Sequence, residues 1–428
     1  MTKVLVLSYF FPPCSLTASN RVFGIVSNMH RFGLYPIVIT RHWDNKSTGQ
    51  EDLLKSTKKT IEHVCYEGYE VYYIPYRSSL RDRLLLHSDK IKFFSVLSKI
   101  LTLIYLILEP FTNLVVPFSN IYSFSKKYLS ENKDINHLII TASPFPLFRM
   151  GYLLNKKYGI KWLADYRDDW ATNEVRIYSK LEKFLNVFER NSERKWVGSA
   201  SAISSISNHY TNKISSFTSQ KGKTLLNGFF EEDFSNIENV TFDNFTIIYN
   251  GTLYDSQPVE IFLSAFKLFI NQHSSNKKNI KFIFAGTAYD TNQVRRITDF
   301  SISFIDNIEI TERKPRREIL ELQKTAQALI MISHTNCKGI PSSKIYEYLA
   351  MGKPILSYPS DGDIIDETLG GYNLGYVCKN EEEILNQLNK LYFTYMSKSL
   401  DVISDKDYVN QFSRKNQSKL TAELLDTF

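Results

Sequence analysis

A chain of 428 residues with 43 % hydrophobic side chains exceeds one ordinary core and predicts two globular domains of roughly 200 residues each. Its 52 Lys and Arg against 45 Asp and Glu give a formal +7, scattered along the chain rather than gathered in a stripe, which argues against a nucleic-acid partner. Cys14, Cys65, Cys337 and Cys378 lie far apart with no C-x-x-C pair, so neither a zinc site nor a disulfide framework is expected, and reduced thiols in a cytoplasmic protein fit best.

Short apolar runs alternate with longer segments of helical period, the pattern of βαβ units and parallel sheets. The opening MTKVLVLSYFFPP lacks the small-residue cleavage site of a signal peptide and ends in Pro-Pro. It reads as a first buried strand, Val4 to Ser8. A helix from about Ser19 to Phe32 stops at Gly33, and Tyr35 to Thr40 is the next strand. His137 to Thr141 and Lys161 to Asp165 are strands separated by a helix around Pro146 to Tyr158; Ala202 to Ser205 and Lys223 to Leu226 close a first half, residues 1–226.

The polar stretch Asn227 to Asn244 opens with Asn-Gly, a turn signal. The alternation then restarts in a second half, residues 227–407. Strands at Phe245 to Tyr249, Lys281 to Phe284, Ala328 to Ile332, Ile355 to Tyr358 and Gly375 to Val377 are interspersed with helices at Pro258 to Gln272 and Arg316 to Lys324. Tyr408 to Leu425 reads as one closing helix, free to pack on either half. The expected fold class is α/β, two doubly wound domains facing one cleft, because ligands of such sheets sit beyond the carboxyl ends of the strands.

Residues 90–122 break the rhythm. Phe94, Leu97, Leu101, Ile104, Tyr105 and Leu108 share one helical face, with Lys92, Ser95 and Lys99 opposite and Arg81, Arg83, Lys126 and Lys127 flanking. Glu109-Pro110 ends the apolar run early for a membrane span. A core helix with an insertion and an interfacial helix on anionic lipid both fit.

Four clusters carry candidate chemistry. In KGIPSSKIYEYLAMGKPIL, Lys338 to Leu356, Pro341 and the hydroxyls of Ser342 and Ser343 make a helix start, and Gly352 and Pro354 make its stop. The helix N-terminus is an anion site to which Lys344 adds charge, with Glu347 one turn inward to accept bonds from neutral hydroxyls. An ordinary capped helix with a surface Lys–Glu pair fits the same spacing. In IKWLADYRDDW, a buried strand delivers Asp165, Arg167, Asp168 and Asp169 to its carboxyl end, for sugar hydroxyls, acid–base work or a structural salt-bridge network. It lacks the His partners of a catalytic metal site.

Asn250-Gly251-Thr252 and the Gly286-Thr287 pair of FAGTAYD are strand-to-helix turns that let a ligand approach the backbone, or are tight turns only. At the first strand-to-helix loop, Ser15, Thr17, Ser19 and Arg21 suit a polar acceptor, with Arg21 pairing to phosphate; a solvated loop with a capped helix suits them equally.

SYFFPP with Arg21, ADYRDDW, LLNGF at Leu225 to Phe229, YNGTLY, FAGT and IPSSKIYEYLAMGKPIL occur in the order seen in the GT-B-fold glycosyltransferases of family 4, and most of the chain resembles that family. The resemblance implies two Rossmann-like domains. The C-terminal one would hold a nucleotide-diphosphate sugar, and transfer would proceed with retention of configuration, without a metal or other cofactor. Glu347 matches the second glutamate of the family's pair, which grips the donor ribose. The amides at Ser342 and Ser343 with Lys344 would hold the diphosphate, and Gly251, Thr252 and Gly286 would line the pocket. Asp168 or Asp165, with Arg167, would orient the reacting sugars, Ser15, Thr17 and Arg21 would serve the acceptor, and the last helix, within 408–428, would cross back to the N-terminal domain.

The chain departs from the family at three places. Gly339 stands where the first glutamate belongs, the turn after Tyr249 lacks Arg and Lys, and no His follows the strand ending at Thr141. The expected activity is transfer of a sugar to a glycan or lipid-linked acceptor in bacterial surface polysaccharide synthesis. It would take place in the cytoplasm, at the inner membrane face if residues 90–122 dock there. A nucleotide-sugar epimerase of the same fold and a catalytically silent partner subunit are the alternatives.

Overall fold

The computed structural model describes residues 1–44, 50–87, 92–173, 180–235, 237, 244–335, 337–340, 342–398 and 404–428. The chain divides into two compact units, one of Met1–Leu226 with Arg414–Phe428, the other of Asn227–Ser413.

In the first unit, β1 (Thr2–Ser8), β2 (Leu34–Arg41), β3 (Glu62–Tyr66), β4 (Tyr69–Ile74), β5 (His137–Ala142), β6 (Lys161–Tyr166), β7 (Ala202–Ser205) and β8 (Gly222–Thr224) form one sheet, ordered β3-β4-β2-β1-β5-β6-β7-β8. Its neighbours pair in parallel except β3 on β4. Val4 to Leu7 are wholly buried because β1 lies mid-sheet with helices on both faces, which is why that strand is a continuous apolar run rather than an alternating one. Val22, Ile25 and Val26 of the helix Thr17–Val26 pack on Val4 and Val6, joined by Ala422 and Leu425 of the C-terminal helix Arg414–Leu425.

In the second unit, β9 (Phe245–Asn250), β10 (Ile280–Ala285), β11 (Ile308–Ile310), β12 (Ala328–Ile332), β13 (Ile355–Tyr358) and β14 (Gly375–Val377) form an all-parallel sheet ordered β11-β10-β9-β12-β13-β14. Phe262, Phe266 and Phe269 from the helix Val259–Gln272 fill its core against Phe245, Phe282 and Ile330. The strand order reverses direction between β9 and β12, so the carboxyl ends of β9 and β10 and the loop after β12 border the position where α/β sheets hold ligands.

The expected fold is corrected at three places. The first helix ends at Val26, and Met29–Phe32 is a separate tight turn closed by Gly33 at φ +80°. The hairpin β3–β4 was not anticipated; it turns at Glu67-Gly68, with Gly68 at φ +84°. The closing segment is two helices, Lys406–Asn410 and Arg414–Leu425. The chain breaks between them because the Phe412 carbonyl accepts the Phe229 N–H at 3.2 Å, and a Cβ on Gly228 would lie 2.2 Å from that oxygen.

Residues 92–108 are helical as expected, and the expected apolar face is divided: Phe94, Leu97, Leu101 and Tyr105 are half-buried, whereas Ile104 and Leu108 are exposed. Ser98 is the buried side chain, while Ile104 and Leu108 join Phe93, Val96, Ile100 and Ile107 among the exposed apolar residues. No helix of the described residues is long and apolar enough to cross a membrane.

Candidate active site

At the carboxyl end of β9 the chain turns through Gly251 at φ +97°, and at the end of β10 through Gly286 at φ +77°, conformations that side chains disfavour. The two turns are locked side by side. Gly251 N–H donates to the Ala285 carbonyl at 2.8 Å, and the Thr287 hydroxyl donates to the Gly251 carbonyl at 3.2 Å. A Cβ on Gly251 would meet Lys344 Cε at 2.9 Å, so the bare backbone there faces the lysine stem. Tyr289 donates its hydroxyl to Thr252 Oγ1 at 2.8 Å, adding an aromatic wall.

The helix Ser343–Met351 aims its N-terminus at these turns through its first-turn lysine. Lys344 Nζ donates to the Tyr249 hydroxyl at 2.9 Å and the Thr252 carbonyl at 3.2 Å, and lies 4.3 Å from the Tyr249 ring centroid. Tyr348, one turn on, accepts the Asn250 N–H at 3.0 Å. Burial pushes the Lys344 ammonium down to about 7, against the opposing pull of the Glu347 carboxylate. The nearby Lys344 charge and, first, burial also hold His334 below its ordinary value. The expected hydroxyl cap is corrected: Ser342 sits at the N-cap in extended backbone but its side chain makes no capping bond. Ser343 is exposed as the first helical residue, and Pro341 lies outside the described residues.

Glu347 does not pair with Lys344. Its carboxylate takes Arg316 at 2.7 Å, and Arg316 also binds Asp233 at 2.7 Å. Arg313 lies 4.0 Å over the Tyr289 ring, and its stem would be 3.8 Å from a Cβ on Gly286. These two arginines escaped the motif reading. They come from Glu312 to Glu318, ERKPRRE, a basic run just past β11. Gly339 sits at φ +76° and donates its N–H to the Asp363 carboxylate, so a glutamate there would be strained in this backbone.

In the first unit the candidate residues separate. Arg21 and Asp165 are both fully buried and spend themselves on each other: Arg21 Nε and Nη2 reach the carboxylate at 3.0 and 2.5 Å. Ser204 donates to the same carboxylate at 2.7 Å, and Arg21 Nη1 donates to the Leu225 carbonyl at 2.9 Å. The phosphate role expected of Arg21 and the sugar-orienting role expected of Asp165 are therefore corrected to a structural pair, since a buried charge requires its counter-charge. Asp169 is likewise committed, to Lys213 at 2.9 Å and Asn173 at 2.8 Å, with burial raising its carboxyl.

Arg167 and Asp168 remain accessible. They pair at 2.5 Å, Asp168 is 52 % exposed, and Arg167 lies 5.5 Å from the Phe10 ring centroid. Their loop is pinned by Glu193, which accepts the Ala171 N–H at 3.0 Å and the Tyr166 hydroxyl at 2.9 Å and which burial raises to about 7. Ser15 and Thr17 are exposed at the loop after β1, while Ser19 is buried and donates to the Cys14 and Leu16 carbonyls.

Residues 244–393 match the family described as glycosyl transferases group 1. A search of curated protein sequences finds no match. Among solved structures, HepE of Anabaena in complex with UDP and glucose aligns with a TM-score of 0.60 at 11 % identity over 100 % of both chains. The UDP-forming α,α-trehalose-phosphate synthase of Burkholderia xenovorans, in complex with glucose-6-phosphate, aligns with a TM-score of 0.62 at 8 % identity over 100 % of both chains. Sucrose-phosphate synthase of Thermosynechococcus elongatus gives 0.56 at 10 % identity over 99 % and 95 %. At such identities the likeness carries the fold, two Rossmann-like α/β units of the GT-B type, and residues 244–393 are a glycosyltransferase domain built on the second of them.

Proposed function

We propose that this glycosyltransferase, a member of family 4, moves a sugar from a nucleotide-diphosphate donor to a glycan or lipid-linked acceptor with retention of configuration. The reading is carried by one juxtaposition: two side-by-side glycine turns face a lysine whose ammonium is buried without a carboxylate of its own. A diphosphate against Gly251 and Gly286 would meet Lys344 and the amides of Ser342 and Ser343, with Arg313 beside it. Thr252 would border the same space, and Glu347, held by Arg316, would present a carboxylate oxygen to the ribose hydroxyls. The solved structures with UDP and glucose make UDP-glucose the first donor to try.

In the reaction, the bond from the anomeric carbon to the diphosphate oxygen breaks and its electron pair stays on that oxygen. Lys344 and the helix N-terminus stabilise the charge that grows there. The acceptor hydroxyl attacks the same face of the sugar, and its proton passes to the departing diphosphate oxygen. No metal or cofactor is needed for these steps. The second unit would hold the donor and the first the acceptor, through Arg167, Asp168, Ser15 and Thr17.

The exposed row Phe93, Val96, Ile100, Ile104 and Ile107, with Lys92, Lys99 and Arg83 exposed beside it and no acid between Lys92 and Leu108, suits a cytoplasmic enzyme resting on the anionic inner face of a bacterial membrane, where surface polysaccharides are assembled. Incubating the pure protein with a panel of nucleotide sugars tests the reading by thermal shift and by release of nucleoside diphosphate. Stabilisation and acceptor-dependent release are expected. Isomerisation of the donor without an acceptor would replace transfer with epimerisation, and indifference to every nucleotide sugar would overturn both.

A further inference from the structure

The β3–β4 hairpin at the edge of the first unit gathers three metal-ligating side chains that the sequence separates. In the antiparallel register Cys65 lies opposite Glu70 and His63 opposite Tyr72. Val64 packs toward the core, so alternation turns His63, Cys65, Glu70 and Tyr72 to the other face. There, His63 Nε2 is 2.9 Å from Glu70 Oε2, Cys65 Sγ is 3.7 Å from His63 Nε2, and Cys65 Sγ is 4.0 Å from Glu70 Oε2. A tetrahedral zinc ion with bonds of about 2.0 to 2.3 Å sets its ligand atoms roughly 3.3 to 3.6 Å apart, so shifts of a few tenths of an ångström convert this triangle into a coordination face.

The triangle is supported from behind. The His63 ring stacks on Tyr72 at 4.1 Å, which fixes its plane. Tyr128, from the helix Ser119–Glu131, donates to Glu70 Oε1 at 3.1 Å and leaves Oε2 toward the other two ligands. The turn packs closely as well: Gly68 at φ +84° lies where a Cβ would strike the His30 ring. An oriented imidazole and a carboxylate held on its outer oxygen are the supports that tune metal ligands.

We propose that His63, Cys65 and Glu70 bind a zinc ion that clips the edge strand β3 to β4, with water in the fourth position. The Cys65 thiol loses its proton to solvent as the sulfur–metal bond forms, and His63 donates the Nε2 lone pair of its neutral ring. The mix of thiolate, imidazole and carboxylate selects zinc over magnesium or calcium, which take oxygen ligands. The absence of a C-x-x-C pair had spoken against zinc; the second and third ligands come instead from alternation and cross-strand pairing. This site is independent of the transfer reaction.

Cobalt(II) titration of the metal-stripped full chain tests the proposal. A 1:1 complex with thiolate-to-metal charge-transfer absorption in the near ultraviolet is expected, bleached by zinc. Cys65→Ser should abolish the band and Cys337→Ser should leave it intact. His63→Gln should weaken zinc binding by more than tenfold and Tyr128→Phe by about tenfold. Zinc should also slow alkylation of Cys65 by iodoacetamide, read from its peptide mass, a measurement that needs no variant. No band, a band that survives Cys65→Ser, or alkylation of Cys65 at an unchanged rate would each overturn the site.

Discussion

Lys344 offers the sharpest test of the donor site, because its charge state separates holding a diphosphate from holding the fold. In the free protein burial brings its pKa to about 7 from an ordinary 10.5. A diphosphate beside Nζ restores the preference for the charged form, so donor binding takes up a proton wherever free Lys344 is neutral. The intact diphosphate of UDP-glucose does not titrate between pH 7.0 and 8.5, which leaves the lysine as the titrating partner. Over that range the protonated fraction of the free lysine falls from about one half to about one part in 33, and Kd should rise roughly 16-fold.

Stability should move the other way. The folded pKa lies below the unfolded one, so the unfolded chain binds more protons between pH 7 and 10.5, and the free protein gains stability as pH rises through that window. Lys344→Met should flatten both slopes and weaken UDP-glucose at pH 7 by about tenfold or more, the loss of one charge-assisted hydrogen bond. Calorimetry in two buffers of different ionisation enthalpy reads the proton uptake directly. A wild-type Kd that is flat from pH 7.0 to 8.5 without proton uptake, or a slope that persists in Lys344→Met, would refute the assignment.

Three further outcomes follow from the same geometry. Asp165→Asn leaves Arg21 buried beside a neutral amide and should cost about 3 to 5 kcal/mol in denaturant unfolding, whereas a catalytic role for Asp165 would lower turnover with stability kept. Gly251→Ala adds a Cβ 2.9 Å from Lys344 Cε in a backbone at φ +97°; it should lower Tm by a few degrees, corresponding to about 1 kcal/mol, and raise the donor KM several-fold, and an unchanged KM would separate that turn from the donor. Ile100→Glu with Phe93→Glu should abolish sedimentation with vesicles of anionic phospholipid while leaving transfer to a soluble acceptor intact; equal binding by the variant would remove the helix Lys92–Leu108 from the membrane.

What the sequence made legible was what local periodicity encodes. The buried runs at Val4, Phe245, Lys281 and Ala328 read as strands because central parallel strands are apolar on both faces, and Gly251, Gly286 and Lys344 stood out as breaks at their ends or at a helix start. Partnerships across the fold were not legible. Arg21 meets Asp165 across 144 positions, Arg316 meets Glu347 across 31, and no spacing rule links either pair. The β3–β4 hairpin was missed for a related reason: β3 is an exposed edge strand, so its face toward solvent carries His63 and Cys65 rather than the apolar residues that announce a strand.

Two cations, Arg21 and Lys344, illustrate why motif residues of one chain invite opposite readings. Arg21 has a carboxylate, a hydroxyl-supported counter-ion network and a carbonyl, so every donor it aims inward is answered within the first unit, and nothing in its surroundings calls for a ligand. Lys344 is half-buried, yet its bonds go to a neutral phenol and a carbonyl, because the carboxylate one turn away belongs to Arg316. Burying an ammonium without a counter-ion costs free energy, and the pull of Glu347, which is taken by an arginine, does not offset it. A chain that keeps that arrangement gains from it only when an anion arrives. The under-paired cation, rather than the fully paired one, is therefore the one on which the proposed diphosphate site rests.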